Sequence, residues 1–217
     1  MHLINALSPD DLQRLRTALA AADWQDGTAT AYGSARQRKC NQQVTEADPA
    51  LGGLFRGLRT FLLNHEPLRQ LAWPRALLNL RAARYGVGDA YGWHVDQAVM
   101  GSQRSDLSFT LFVSAPDSYQ GGELELDHGH HKVRVKGEAG QLLVYPTGTL
   151  HQVCPVTAGE RLVVVGWIES LVPRADDREL LFTLASELTR LKALIDDPAS
   201  FDRLNALQQN LIRRLAH

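Results

Sequence analysis

The sequence predicts a mainly β fold with flanking helices, its strands forming an antiparallel sandwich or barrel. Three observations carry this. Residues 76–171 hold seven or so short segments rich in β-branched and aromatic residues, divided by Gly, Pro or Asp, with no helical stretch between them. The stretches on either side repeat their leucines at helical spacing instead. A chain of 217 residues, 44% hydrophobic and 22% charged, suits one well-packed unit with an appendage rather than a disordered chain. The expected division is a helical and mixed support region (1–75), a core (76–171) and a C-terminal helical hairpin (172–217).

The support region opens with "LSPDDLQRLRTALAAADW". Ser8 is the expected N-cap and Pro9 the first helical residue, where a missing N–H costs little. Leu12, Leu15 and Leu19 share one face. In "DPALGGLFRGLRTFLLNH", Leu51, Leu54, Phe55, Leu58, Phe61 and Leu62 predict a second helix. Gly52, Gly53 and Gly57 weaken it by about 1 kcal/mol each relative to Ala. In the core, "ELELD" and "KVRVK" alternate strictly, as half-buried strands should. After Pro173, Leu180, Leu184, Leu188 and Leu191 form one stripe, and Phe201, Leu204, Leu207, Leu211 and Leu215 another. With "IDDPAS" between them they predict a hairpin docked on the β unit or on a second subunit.

A formal net charge of -1 gives no electrostatic footprint for nucleic acid or an anionic membrane. The N-terminus lacks a basic segment followed by a long apolar core, and no apolar run approaches the roughly 20 residues of a membrane span. Cys40 and Cys154 are too few for a disulfide framework, so a cytoplasmic protein with two free thiols is expected.

The chemistry concentrates in eight histidines. His2, His65 and His217 lie at a terminus or a polar helix end and are expected to be solvated. His128, His130 and His131 in "DHGHHK" join two alternating strands, a hairpin tip on which nothing orients the rings. "YGWHVDQA" is different. His94 and Asp96, two apart on a strand, project to the same face, either as a surface pair or as two ligands converging on one point. His151, in "LVYPTGTLHQV" after four expected strands, is the third candidate. Two imidazoles and a carboxylate cover one face of an octahedral metal and leave the other open, which suits Fe(II), O2 and a chelating cosubstrate. A structural zinc would want a fourth ligand. Arg161, ten residues after His151, opens the apolar strand "RLVVVGWIES". An Arg entering a core needs a partner: a strand-end position in solvent, an internal acid such as Glu160, or the carboxylate of a bound diacid.

Together, "RYGVGDAYGWHVD", "GGELEL", "VYPTGTLH" and the Arg ten residues beyond resemble the iron(II)- and 2-oxoglutarate-dependent dioxygenases, and more narrowly the bacterial PKHD-type hydroxylases, relatives of the prolyl and lysyl hydroxylases. The resemblance covers nearly the whole chain, including "NQQV" near residue 41. It implies a double-stranded β-helix, or jelly roll, with Fe(II) held by His94, Asp96 and His151 and the distal carboxylate of 2-oxoglutarate on Arg161. It further implies hydroxylation of a prolyl or lysyl residue, or of a small molecule, with release of succinate and CO2; ascorbate is the expected reductant. Tyr85 falls near where related prolyl hydroxylases place a cosubstrate-binding Tyr. Trp167, six residues after Arg161, is expected to wall the pocket or else to pack in the core. Phe112 stands where some relatives reach the cosubstrate with a Tyr, a hydrogen bond that a phenyl ring cannot make. Asp89, Tyr91 and Trp93 line the entrance or form an ordinary turn. Partners are then O2, 2-oxoglutarate, a protein or small-molecule substrate and a second copy through the C-terminal helices, with no nucleic acid and no membrane. Two rival functions fit less of the pattern. A non-catalytic jelly roll binding metal or ligand leaves Arg161 unexplained, and a zinc hydrolase needs a general base that the sequence does not single out.

Overall fold

The computed structural model describes residues 1–30 and 33–217. The N-terminal part contains β1 (His2–Asn5), α1 (Pro9–Ala20), β2 (Gln25–Asp26), β3 (Lys39–Cys40), β4 (Gln42–Thr45), α2 (Gly52–Asn64) and α3 (Glu66–Ala72). The core runs through β5 (Pro74–Tyr85), β6 (Ala90–His94), β7 (Val99–Met100), β8 (Gln103–Arg104) and β9 (Leu107–Phe112). It continues through β10 (Tyr119–Gly121), β11 (Leu124–Asp127), β12 (Lys132–Val135), β13 (Gln141–Pro146), β14 (Leu150–Val153), β15 (Val156–Gly159) and β16 (Arg161–Ser170). Helices α4 (Ala175–Lys192) and α5 (Pro198–Leu215) end the chain.

Among the described residues, seven strands pair in the order β1-β13-β9-β16-β5-β4-β2 and five in the order β12-β11-β14-β6-β3, with antiparallel neighbours throughout. Strand alternation sorts the side chains into two cores. Leu142 and Val144 of β13, Phe109 and Leu111 of β9 and Val164 of β16 face α1 and α2, meeting Leu15, Leu19, Phe55 and Leu62. Leu143, Tyr145, Phe112 and Val163 face the other way, onto Leu124, Leu126 and Val153 of the smaller sheet. Two antiparallel sheets packed this way are the jelly roll. The N-terminal strands belong to it, since β4 pairs with β5 and β3 with β6.

Several elements follow directly from their sequence. Ser8 caps α1 by accepting from the Asp11 amide, Pro9 begins the helix, and Leu12, Leu15 and Leu19 are buried. The "DHGHHK" segment joins β11 to β12, and its three histidines are exposed. Others differ. Helix α3 was not anticipated, and seven strands rather than four separate His94 from His151, three of them only two or three residues long. The C-terminal stripe departs at one position. Leu188 of the expected stripe is buried in α4, together with Leu181, whereas Leu180 is 52% exposed. Helix α5 has no fully buried residue.

One irregularity positions the site. Val165 of β16 faces Arg81 of β5 while Trp167 faces Leu78, so β5 carries an extra residue there. Asn79 takes up this bulge with a φ of 48°, in the left-handed region that Asn tolerates better than most.

Candidate metal centre

His94 ends β6 and lies directly across the strand pair from His151 of β14, ring centroids 4.2 Å apart. Each imidazole is held the same way. Nδ1 of His94 donates to the Gly92 carbonyl and Nδ1 of His151 to the Thr149 carbonyl, both at 2.8 Å. This fixes the tautomer and leaves each Nε2 with its lone pair free for a metal. Asp96 lies beyond the end of β6, so the chain's exit from the strand, rather than strand alternation, aims its carboxylate. Oδ1 is 3.8 Å from Nε2 of His94 and Oδ2 is 3.7 Å from Nε2 of His151. Ligands bound to one ion at about 2.1 Å stand roughly 3 to 4 Å from one another, so one cation fits all three. Burial first, and His151 second, hold His94 below its ordinary pKa, which keeps it neutral and ligand-ready. Among the described residues no fourth His, Cys or acid joins the group, as a structural zinc would require.

These groups line a cavity of about 330 Å³. Its closed end holds Arg161, 1% exposed, with Tyr85 and Tyr145, each 4% exposed. Arg161 and Tyr85 are cross-strand partners, the guanidinium 5.1 Å from the ring centroid. Burial raises the Tyr85 phenol above its usual pKa and the Tyr145 phenol further, so both stay protonated donors. Among the described residues Arg161 forms no ion pair, Nε has no hydrogen-bond partner and Glu160 is exposed. A buried, uncompensated guanidinium costs several kcal/mol, so this end is built for an anion.

The wider end is bounded by the exposed residues Ala29, Asn79, Val95 and Gln97. Between the two ends Lys39, 6% exposed, donates to Thr30 Oγ1 at 2.7 Å and sits 4.9 Å over the Tyr91 ring, which stacks on His94 at 3.6 Å. Burial first, and the Arg81 charge second, push the Lys39 pKa down to about 7.

All six residues singled out in the sequence, His94, Asp96, His151, Arg161, Tyr85 and Trp167, line this one cavity. Phe112 does not; it fills the core between the sheets, over the position where Gly137 lacks a Cβ. Tyr145 is the phenol that lines the closed end, and it was missed because "QLLVYP" reads as an ordinary buried strand. Tyr91 lines the cavity, whereas Asp89 accepts from the Gly86 amide in the preceding turn and Trp93 lies under Lys132. Lys39, Thr30 and Ser108 were also missed. The one available signal was the polar "NQQV", whose Gln43 lines the cavity too.

The model of the 2OG-Fe(II) oxygenase superfamily matches residues 80–169, which contain His94, Asp96, His151 and Arg161. A PKHD-type hydroxylase of Maricaulis maris is 40% identical over 216 residues, covering 100% of this chain and 98% of the relative. One of Parvibaculum lavamentivorans is 42% identical over 215 residues, covering 99% and 97%. The crystal structure of a Pseudomonas putida prolyl-4-hydroxylase superposes with a TM-score of 0.57 at 19% identity, covering 78% of this chain and 91% of that one, a likeness of fold. Full-length similarity of this kind places the chain among the PKHD-type hydroxylases of the 2OG-Fe(II) oxygenase superfamily, and the enzyme is a 2-oxoglutarate-dependent hydroxylase.

Proposed function

We propose that His94, Asp96 and His151 hold Fe(II), that Arg161 binds the distal carboxylate of 2-oxoglutarate, and that the enzyme hydroxylates an aliphatic C–H bond of a prolyl or lysyl residue or of a small molecule. The observation that carries this reading is the pairing of a two-histidine, one-carboxylate group with a buried guanidinium that has no acid of its own. When bound, the iron supplies the redox chemistry that couples O2 and 2-oxoglutarate to hydroxylation, with succinate and CO2 as co-products. The protein's residues do the rest. The carbonyls of Gly92 and Thr149 fix the imidazoles. Arg161 orients the diacid and offsets the single negative charge left when Fe(II), Asp96 and the dianion are summed. Tyr85 and Trp167 wall the cavity and exclude water. A non-catalytic or hydrolytic site would leave Arg161 as a buried cost without return.

In this reading residues 76–171 carry the chemistry, 1–75 support it, and the hairpin 172–217 joins two copies into a homodimer. The half-buried α5 and the exposed Leu180, Leu194 and Leu207 support the last point. The free thiols of Cys40 and Cys154 support a reducing, cytoplasmic setting, in which ascorbate would serve as reductant. No helix among the described residues is long and apolar enough to cross a membrane.

Anaerobic addition of Fe(II) and then 2-oxoglutarate is expected to produce the weak visible charge-transfer band of the chelate. A featureless spectrum, with both components shown to be present in excess, would defeat the assignment.

A further inference from the structure

A polar residue lies behind the closed end of the cavity. Asn41 is the single residue between β3, in the smaller sheet, and β4, in the larger, and it is 4% exposed. Its place is set from two sides. Gln42 of β4 faces Arg84 of β5, so Asn41 continues that register opposite Tyr85, and Tyr85 in turn faces Arg161 of β16. Asn41, Tyr85 and Arg161 thus stand in one row across three neighbouring segments. On the other side the Gly27 amide donates to the Asn41 backbone carbonyl at 2.9 Å. Asn41 Oδ1 fills the space that a side chain at position 27 would need, 1.9 Å from where a Cβ would stand. A glycine at 27 is what lets the Asn41 amide in.

The side chain seated there makes no hydrogen bond. Among the described residues neither Oδ1 nor Nδ2 of Asn41 has a partner. A buried amide left unbonded costs stability where an apolar side chain of the same shape would not, so its presence calls for a reason. Tyr85 supplies one. With Oδ1 packed over Gly27, the Nδ2 edge of the amide is left for the phenol across the row. Burial does most to raise the Tyr85 pKa, and the Arg161 charge and then the Asn41 amide oppose that rise, as groups that favour charge on the phenol oxygen must. A carboxylate on Arg161 would fix the direction of donation. It is a stronger acceptor than an amide oxygen, so the phenol gives its proton to the carboxylate, and the phenol oxygen is then free to accept from Nδ2.

We propose that Asn41 is a positioning residue of the cosubstrate site: its Nδ2 donates to the phenol oxygen of Tyr85 and so aims the phenol proton at the distal carboxylate held by Arg161. The inference rests on the iron and 2-oxoglutarate reading, and the test separates the two. The full chain is loaded with Mn(II) under argon. Calorimetry then measures its affinity for 2-oxoglutarate and for 2-oxopentanoate, which keeps the chelating end and lacks the distal carboxylate. Wild type is expected to prefer 2-oxoglutarate by at least about tenfold. Asn41→Leu should weaken 2-oxoglutarate by about 3- to 10-fold, the effect of one hydrogen bond, and leave 2-oxopentanoate within about twofold. In a Tyr85→Phe background the same substitution should change 2-oxoglutarate affinity by less than about twofold, since the phenol through which Asn41 acts is gone. Asn41→Ala carries the same comparisons if the leucine does not fold. Unchanged 2-oxoglutarate affinity, an equal loss for the two oxo acids, or a loss that persists in Tyr85→Phe overturns the proposal. If Mn(II) does not bind, or wild type binds the two oxo acids alike, the cosubstrate reading fails and this inference falls with it.

Discussion

Ser108 Oγ donates to Asp96 Oδ2 at 2.7 Å, and the same hydroxyl lies 3.2 Å from Thr147 Oγ1, which in turn is 3.2 Å from Ser105 Oγ. Asp96 stands outside any strand, so this buried line of hydroxyls is what fixes its carboxylate, as the Gly92 and Thr149 carbonyls fix the imidazoles of His94 and His151. Loss of a partner behind a metal ligand typically costs 10- to 100-fold in metal affinity. Ser108→Ala is therefore expected to weaken Fe(II) binding by about that factor while leaving the cosubstrate affinity of the metal-saturated enzyme nearly unchanged. Metal titration followed by calorimetry checks both halves; unchanged Fe(II) affinity would show that Asp96 holds its place without Ser108.

Lys39 carries a stability cost whose sign can be tested. Its pKa is about 7 when folded against 10.5 as the ordinary value, so between these values the unfolded chain binds more protons and stability rises with pH. Lys39→Met removes that titration. The variant should be more stable than wild type by on the order of 5 kcal/mol below pH 7, with the advantage fading toward pH 10.5. Thermal unfolding of the metal-free proteins at two pH values measures this, and an advantage that grows with pH would contradict the burial of the charge.

The three-histidine turn is the opposite case. His128, His130 and His131 are exposed between β11 and β12, away from the cavity lining. Replacing all three with Asn should leave iron content and turnover within about twofold, since exposed turn substitutions seldom change stability by more than about 0.5 kcal/mol each. Loss of iron in that variant, measured by metal analysis, would move the site to the hairpin.

What was legible in the sequence followed from strong local rules. Alternation and turn residues marked the β core, and His94, Asp96, His151 and Arg161 could be picked out because imidazole, carboxylate and an Arg at the mouth of an apolar strand are each expensive without a purpose. Residues whose role depends on tertiary placement stayed hidden. Ser108 and Tyr145 sit in ordinary strand patterns, and Lys39 lies in a two-residue strand that only pairing with β6 brings to the cavity. Leu180 was expected on the buried stripe with Leu188, yet Leu188 is buried and Leu180 is 52% exposed, because a leucine repeat of three or four does not fix which members of the stripe face inward.

The hairpin supplies a prediction about assembly. Leu180, Leu194 and Leu207 are 52%, 65% and 63% exposed, and α5 is at best half-buried along its length. If a second copy covers this surface, Leu207→Glu should shift the particle mass from dimer to monomer in light scattering, with fold and iron content retained. A wild-type chain that scatters as a monomer at micromolar concentration would refute the dimer.

Arg161 and Asp96 line one cavity, and the roles proposed for them are separable by experiment. In the proposed site Asp96 is the anionic ligand, so in Asp96→Ala Fe(II) affinity should collapse and no chelate band should form however much 2-oxoglutarate is added. Arg161 is in no ion pair among the described residues, and its cross-strand neighbour is Tyr85 rather than a metal ligand. Arg161→Leu should therefore keep Fe(II) while 2-oxoglutarate affinity falls by about 30- to 1,000-fold, the 2 to 4 kcal/mol typical of losing a charge-assisted bidentate contact in a desolvated site. Arg161→Lys should fall between, since the ammonium keeps the charge and loses the planar fork. The apo variants carry a further signature. With no acid against it, Arg161 costs stability in the empty enzyme, so Arg161→Leu should raise the melting temperature of the apo protein and abolish the stabilisation that 2-oxoglutarate gives the metal-loaded wild type. Calorimetry and thermal unfolding together decide it: wild-type cosubstrate affinity in Arg161→Leu would mean that the diacid is anchored elsewhere in the cavity.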